Sequence, residues 1–254
     1  MRTILIFIFF VALQTKIYAQ ISPIKSYANN FNQWLSYSGD LKFSKNWGFH
    51  LDGSWRKNEW FSKPQQSLIR TGVNYYINAQ VFIAAGYCFV ENAPYGTFPS
   101  KASFSENRFW EQLQIKSQLQ RFEWLTRFRL EQRFSNTPIL NNNNFYEEGP
   151  AIYTNRLRVL NRFSIPLKGK TIQDKSYYLS ISNEILVSYG KNVAANTLDQ
   201  NRVSFAFGKK IPKIGRLELG YLLQSVYKPD GFKIERNHTL QIGLSSSFDF
   251  YKKK

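Results

Sequence analysis

Residues 121–134 read Arg-Phe-Glu-Trp-Leu-Thr-Arg-Phe-Arg-Leu-Glu-Gln-Arg-Phe. Side chains of a strand alternate between two faces, so Phe122, Trp124, Phe128, Leu130 and Phe134 share one side. Arg121, Glu123, Arg127, Arg129, Glu131 and Arg133 share the other. A soluble sheet buries its apolar face but seldom lines the opposite one with long arginines. A transmembrane β-strand does both, with lipid outside and a wet or salt-bridged lumen inside.

The same alternation runs through the rest of the chain. Trp47, Phe49, Leu51 and Trp55 oppose His50, Asp52, Ser54 and Arg56, and Ile69, Val73 and Tyr75 oppose Gln66, Arg70 and Asn74. Val81, Ile83, Tyr87 and Phe89 oppose Gln80, Gly86 and Cys88, and Phe109, Leu113 and Ile115 oppose Arg108, Gln112 and Gln114. Glu111 breaks the pattern by sharing the apolar parity, which suits the headgroup level or a bulge. Tyr153, Leu157, Val159 and Phe163 oppose Arg156, Arg158 and Arg162, and Leu179, Ile181 and Ile185 oppose Ser180, Ser182 and Glu184. Val203, Phe205 and Phe207 oppose Arg202 and Ser204; Leu217, Leu219 and Tyr221 oppose Glu218 and Gln224; Leu240, Ile242 and Leu244 oppose Thr239, Gln241 and Gly243.

Connections alternate in size. Tight turns are expected near residues 45–46, 78–79, 120–121, 168–174 and 212–215, and longer polar ones near 57–64, 92–105, 136–150, 190–199 and 228–235. This is the hairpin grammar of an all-β, single antiparallel transmembrane β-barrel with short periplasmic turns and long extracellular loops. The segments number 11, with the first in residues 32–43. A closed bacterial barrel with both ends in the periplasm takes an even number. Twelve strands are expected, the extra one lying in residues 20–30; ten is the alternative, if two segments form one hairpin folded over a rim.

The first residues carry a short positive head, and an apolar run from Ile4 to Leu13 of about ten residues has signal-peptide length. Cleavage after Ala19 is expected, leaving residues 20–254 as one barrel domain exported to the outer membrane. No later stretch approaches the roughly 20 consecutive apolar residues of a helical span. Aromatic residues make up 17% of the chain at a mean hydropathy of -0.40, which excludes disorder and a helical membrane protein.

Lys and Arg number 34 against 17 Asp and Glu; without Arg2 and Lys16 the balance is 32 to 17, or +15. Such an excess suits nucleic acid or an anionic surface. Export argues against nucleic acid, and the basic residues are spread through strands rather than gathered on one helix. The expected partners are outer-membrane lipids and lipopolysaccharide, the outer-membrane assembly machinery and small anionic solutes. Cys88 is the only cysteine, so a disulfide within the chain is impossible.

The candidate site is a lumen charge cluster of Arg56, Arg70, Arg108, Arg127, Arg129, Glu131, Arg133, Arg156, Arg158, Glu184, Arg202 and Glu218. Uncompensated, it makes an anion-preferring pore. Paired with its own carboxylates, it fills the lumen as a structural network, and a barrel only slightly wider than eight strands allows either. The alternative is a barrel enzyme acting on lipid or peptide, with His50 and Asp52 side by side on the inward face. Neither His50 nor His238 is flanked by a nucleophile motif, so no catalytic residue is assigned and no enzyme is expected. His238 has lipid-facing parity and suits the headgroup interface. Two distant histidines and one cysteine supply no zinc spacing, and Gly-rich phosphate loops are absent, so no metal and no cofactor are expected.

A set of segments in a fixed order carries a resemblance. They are Trp34, Trp47 to Arg56, Arg70-Thr-Gly-Val-Asn-Tyr75, Glu106-Asn-Arg108-Phe-Trp110-Glu111-Gln112, Arg127-Phe-Arg-Leu-Glu-Gln-Arg133, Arg156-Leu-Arg158, Asn201-Arg202-Val203, Gly220-Tyr221 and His238-Thr-Leu-Gln-Ile-Gly-Leu244. In this order the chain resembles domain-of-unknown-function family 2490, uncharacterised outer-membrane β-barrels of Gram-negative bacteria. The resemblance implies a barrel in the outer membrane and brings no reaction or substrate.

Overall fold

Alternation of polar and apolar side chains becomes inside and outside in the computed structural model, which describes residues 24–251. The strands are β1 (Ser26–Lys42), β2 (Trp47–Asn58), β3 (Lys63–Tyr76), β4 (Val81–Asn92), β5 (Phe104–Leu119), β6 (Phe122–Leu140), β7 (Tyr146–Pro166), β8 (Tyr177–Tyr189), β9 (Leu198–Ile211), β10 (Gly215–Tyr227) and β11 (Lys233–Asp249). Each pairs with its chain neighbours antiparallel, and β1 closes the ring against β11.

That closing pair corrects two expectations. It is parallel, from Ser26 opposite Lys233 to Lys42 opposite Asp249, so the barrel is not wholly antiparallel. It also permits eleven strands rather than the expected twelve or the alternative ten. An even count is required only when the first and last strands run in opposite directions. Here both run from the rim of long connections to the rim of tight turns. Residues 26–30, where a twelfth strand was expected, begin β1. Residues 20–23, the signal peptide expected at 1–19 and the terminal lysines at 252–254 lie outside the described residues.

One rim carries connections 43–46, 77–80, 120–121, 167–176 and 212–214; the other carries 59–62, 93–103, 141–145, 190–197 and 228–232. The expected division into tight and long rims holds only in part, because 167–176 is ten residues long and 59–62, between two long paired strands, is only four. The expected loop at 136–150 is mostly strand. β6 and β7 continue past a register shift between Asn136 and Pro138 and leave five residues to turn. Continued pairing satisfies backbone groups that a loop would leave to water.

The two faces are well separated in β6. Phe128 and Leu130 are each 40% exposed, whereas Arg129 and Glu131 are 2% and 1% exposed. On the outside, aromatic pairs ring both ends. Phe43 with Phe49, Trp47 with Tyr75, Trp124 with Phe163 and Tyr177 with Phe207 lie toward the tight-turn rim. Phe109 with Phe134, Phe134 with Tyr153, and Phe31 with His238 lie toward the other. Aliphatic side chains such as Leu51, Ile83, Leu130, Ile181 and Leu219 fill the band between and are exposed. Glu111 sits on this outer face, where its carboxylate accepts from Gln132 Nε2 at 3.1 Å.

Part of the lumen is filled with apolar side chains. Trp110 packs with Phe82, Ala84, Cys88 and Val90, and Leu68 and Tyr76 border them. The indole lies over a glycine of β3, and a glycine of β4 lets the two backbones approach. A Cβ at Gly72 would stand 2.5 Å from the Trp110 ring, and one at Gly86 would stand 2.0 Å from the Thr71 carbonyl oxygen. Overpacking of this kind costs about 1 to 3 kcal/mol, so Gly72→Ala is expected to lower the unfolding midpoint. Gly53→Ala, whose Cβ would meet nothing closer than 3.7 Å, serves as the control. Equal midpoints for both variants in a urea titration followed by strand circular dichroism would refute this packing.

Candidate functional site

Inward positions on β6 and β7 set the centre of the site. Glu131 on β6 faces Arg156 on β7, and Arg129 faces Arg158. Glu131 Oε2 accepts from Arg156 Nε at 2.8 Å and Nη2 at 2.6 Å, and its Oε1 accepts from Arg158 Nη1 at 2.8 Å. Arg70 Nη2 comes within 3.6 Å of Glu131 Oε1 from β3. One carboxylate thus holds two guanidinia of β7 and approaches a third on β3, in the multidentate geometry that makes such bonds strong.

Glu184 on β8 repeats the arrangement. Its Oε1 accepts from Arg158 Nη2 at 2.8 Å and Arg127 Nη2 at 2.9 Å, and its Oε2 from Arg202 Nη1 at 3.2 Å. Glu106 on β5 accepts two bonds of 2.9 Å from Arg108 and pairs with Arg133. Asp199 accepts from Arg156 Nη1 at 2.8 Å and lies 3.9 Å from Arg133. Asp52 takes Arg70 at 2.5 Å.

Not every member of the sequence-derived cluster joins this network. Glu218 pairs with Arg162 and accepts from the Tyr178 hydroxyl at 2.5 Å, apart from the centre. Arg56 stacks on the Trp34 ring at 3.9 Å and donates to Ser54 and Gln66. Arg129 donates to Gln112 Oε1 from both Nε, at 3.0 Å, and Nη2, at 2.6 Å, and lies 5.1 Å from the Trp110 ring. Among the described residues, neither Arg56 nor Arg129 has a carboxylate oxygen within 4.0 Å.

His50 and Asp52 do meet, Nε2 to Oδ2, at 3.2 Å. The other ring nitrogen is taken by Asp40 at 2.9 Å, and Asp40 also accepts from Asn74. Ser54 accepts from Arg56, and Ser36 donates to the Ile242 carbonyl, so neither hydroxyl bonds His50. His238 lies on the outer face, stacked on Phe31 and bonded through Nδ1 to the Tyr221 hydroxyl at 2.6 Å. Among the described residues no three His, Cys, Asp or Glu side chains gather as a metal site.

The arginines surround a cavity of about 1450 Å³. Its lining holds thirteen Lys and Arg side chains against five Asp and Glu. Glu131 and Asp199 stand behind that lining and do not reverse its sign. At the mouth, connection 93–103 crosses from β4 to β1 and β11. Tyr95 Oη donates to Glu235 at 3.2 Å, Thr97 N donates to Asn30 Oδ1 at 3.3 Å, and Lys228 Nζ donates to the Phe98 carbonyl at 3.1 Å. Burial, with the Glu235 carboxylate beside it, pushes the Tyr95 phenol above its ordinary value. Gly96 makes the crossing possible: its φ is +68°, and a Cβ there would stand 2.7 Å from Asn30 Oδ1.

The candidate cluster expected from sequence omits several of these residues. Glu106, Trp110 and Gln112 share the inward parity of Arg108, so the signal was present. Asp199 gave none. In the β8–β9 ladder Leu186 opposes Gln200 and Val187 opposes Leu198, so Asp199 is the extra residue of a bulge and is turned into the lumen. Gln65 is displaced likewise in β3 and accepts from Trp34 Nε1 at 2.8 Å.

A family model described as "Protein of unknown function (DUF2490)" matches residues 31–238. The chain belongs to this family. Phe31 and His238, the ends of the matched DUF2490 segment, are partners across the β1–β11 seam, so the match reaches every strand, taking residues 31–42 of β1 and 233–238 of β11. No curated protein and no solved structure matches the chain.

Proposed function

We propose that this DUF2490 barrel resides in the outer membrane of a Gram-negative cell, exported by cleavage near Ala19, and that its lumen is a narrow passage preferring small anions. The excess of thirteen basic over five acidic side chains around one cavity carries the second part. A ring of fixed positive charge in a low-dielectric wall raises the local concentration of anions and repels cations.

The outer face supports the first part. Trp124 and Phe134, one from each aromatic belt, are ten residues apart on β6. That is about 33 Å of strand, or about 23 Å of height at a tilt of about 45°, close to the apolar band of such barrels. In this reading lipid and lipopolysaccharide contact the belts, the assembly machinery inserts the barrel, and the tight turns face the periplasm.

A structural role coexists with the passage. Glu131 and Glu184 lock β3, β6, β7, β8 and β9 together and stiffen the wall, while the arginines left over charge the cavity. Catalysis is not part of this proposal, because carboxylates hold both His50 nitrogens and no hydroxyl bonds the ring.

Single-channel recording in planar bilayers tests the passage. A salt gradient should give a reversal potential of anion preference. Arg56→Gln with Lys101→Gln, two lining positions outside any ion pair, should reduce it in a barrel that still folds. Absence of current, or a selectivity that ignores both changes, defeats the proposal.

A further inference from the structure

Arg129 is the most enclosed basic side chain of the lumen, 2% exposed, and it has no carboxylate partner among the described residues. Gln112 clamps one edge of its guanidinium through Nε and Nη2, which fixes the plane and leaves Nη1 free. More positive charge surrounds it. Arg158 stands opposite across the β6–β7 ladder, Arg127 is two residues away on the same inward face, and Arg70 shares the Trp110 ring at 5.9 Å. The nearby acids are already engaged. Glu131 is taken by Arg156 and Arg158, Glu184 by Arg158, Arg127 and Arg202, and Asp52 by Arg70 and His50. Two further donors beside it are unmet, since the Nε–H groups of Arg70 and Arg127 are buried and have no acceptor.

A buried guanidinium without countercharge is strongly destabilised, and unmet buried donors add to that cost. All of these side chains border the same cavity, so a soluble ion can supply what the protein does not. We infer that Arg129, with Arg70 and Arg127 beside it, holds a phosphate-class oxyanion on the lumen wall. A tetrahedral oxyanion offers enough acceptor oxygens to meet several guanidinium edges at once, which a halide cannot do directionally. Because the guanidinia face inward, the ligand is a solute rather than the headgroup of a surrounding lipid. The inference rests on the lumen being open to anions and adds to it a place where one anion stops.

Calorimetric titration of the purified barrel in detergent tests this, using inorganic phosphate, glycerol 3-phosphate and chloride at matched ionic strength. Saturable phosphate binding at least about tenfold tighter than chloride is expected, the ratio that one charge-assisted bond confers. Arg129→Gln should weaken it about tenfold, and Arg129→Lys should not restore it, because a point charge lacks the fork. Arg216→Gln, at the rim and paired with Glu123, should change nothing. Strand circular dichroism confirms that each variant folds. If Arg129→Gln does not fold, the unaltered barrel decides, since equal responses to phosphate and chloride overturn the inference. So does undiminished phosphate binding in folded Arg129→Gln. Anion-selective current without saturable phosphate binding removes this site and leaves the passage. Phosphate binding without current keeps the site and removes the passage.

Discussion

Glu131→Gln is expected to lower the stability of the barrel by about 3 to 5 kcal/mol, the cost of removing one partner from a buried ion pair. The carboxylate is 1% exposed and bonds Arg156 and Arg158 at 2.6 to 2.8 Å, with Arg70 at 3.6 Å. Glutamine keeps the shape and one acceptor but removes the charge, so three guanidinia lose a shared countercharge where water does not compensate. Glu123→Gln breaks the pair with Arg216, where both side chains are about a third exposed, and should cost no more than about 1 kcal/mol. Urea titrations followed by circular dichroism and gel mobility compare the two. A Glu131→Gln midpoint no lower than that of Glu123→Gln would show that the network does not hold the wall.

Leu130→Arg acts on the other face and should block assembly, because arginine at the lipid midplane costs roughly 2 to 4 kcal/mol. Leu130 lies in the aliphatic band, 40% exposed and pointing away from the lumen. Gln132→Arg keeps the same orientation but lies beside Glu111 and opposite Phe109, near a belt where the same change costs about 0 to 1 kcal/mol. Assembly into vesicles, scored by heat-modifiable migration, separates the two positions. Equal assembly of both variants removes the membrane from the proposal, since water makes no distinction of depth.

Strand positions and facing were legible because alternation has a period of two and the barrel has two dissimilar sides. Phe128, Arg129, Leu130 and Glu131 show this within four residues. Closure was not legible. Nothing in the side chains of β1 announces a parallel neighbour, and the rule of even strand numbers presumes antiparallel closure. Bulges were equally silent: Asp199 and Gln65 reach the lumen because the backbone gains a residue, which parity counts as a change of face. The partition of the arginines was also out of reach. Arg129 and Arg156 both face inward on adjoining strands, yet only the three-dimensional neighbours decide that Arg156 has two carboxylates and Arg129 none. Connection 93–103 shows in sequence only as a polar stretch, and its crossing of the mouth depends on Asn30 and Glu235 being brought to the far wall.

The parallel seam has a kinetic consequence. Every other ladder joins strands that follow one another along the chain and can zip from a local turn, whereas the Asn30–Asn237 side-chain bond spans 207 residues. Bringing such distant segments together carries the largest loop-closure entropy in the molecule and comes late. Until then the barrel is a curled sheet with two bare edges, β1 and β11, each a template for another chain. Assembly of the barrel therefore turns on one requirement, that those two edges stay apart from strangers until they find each other.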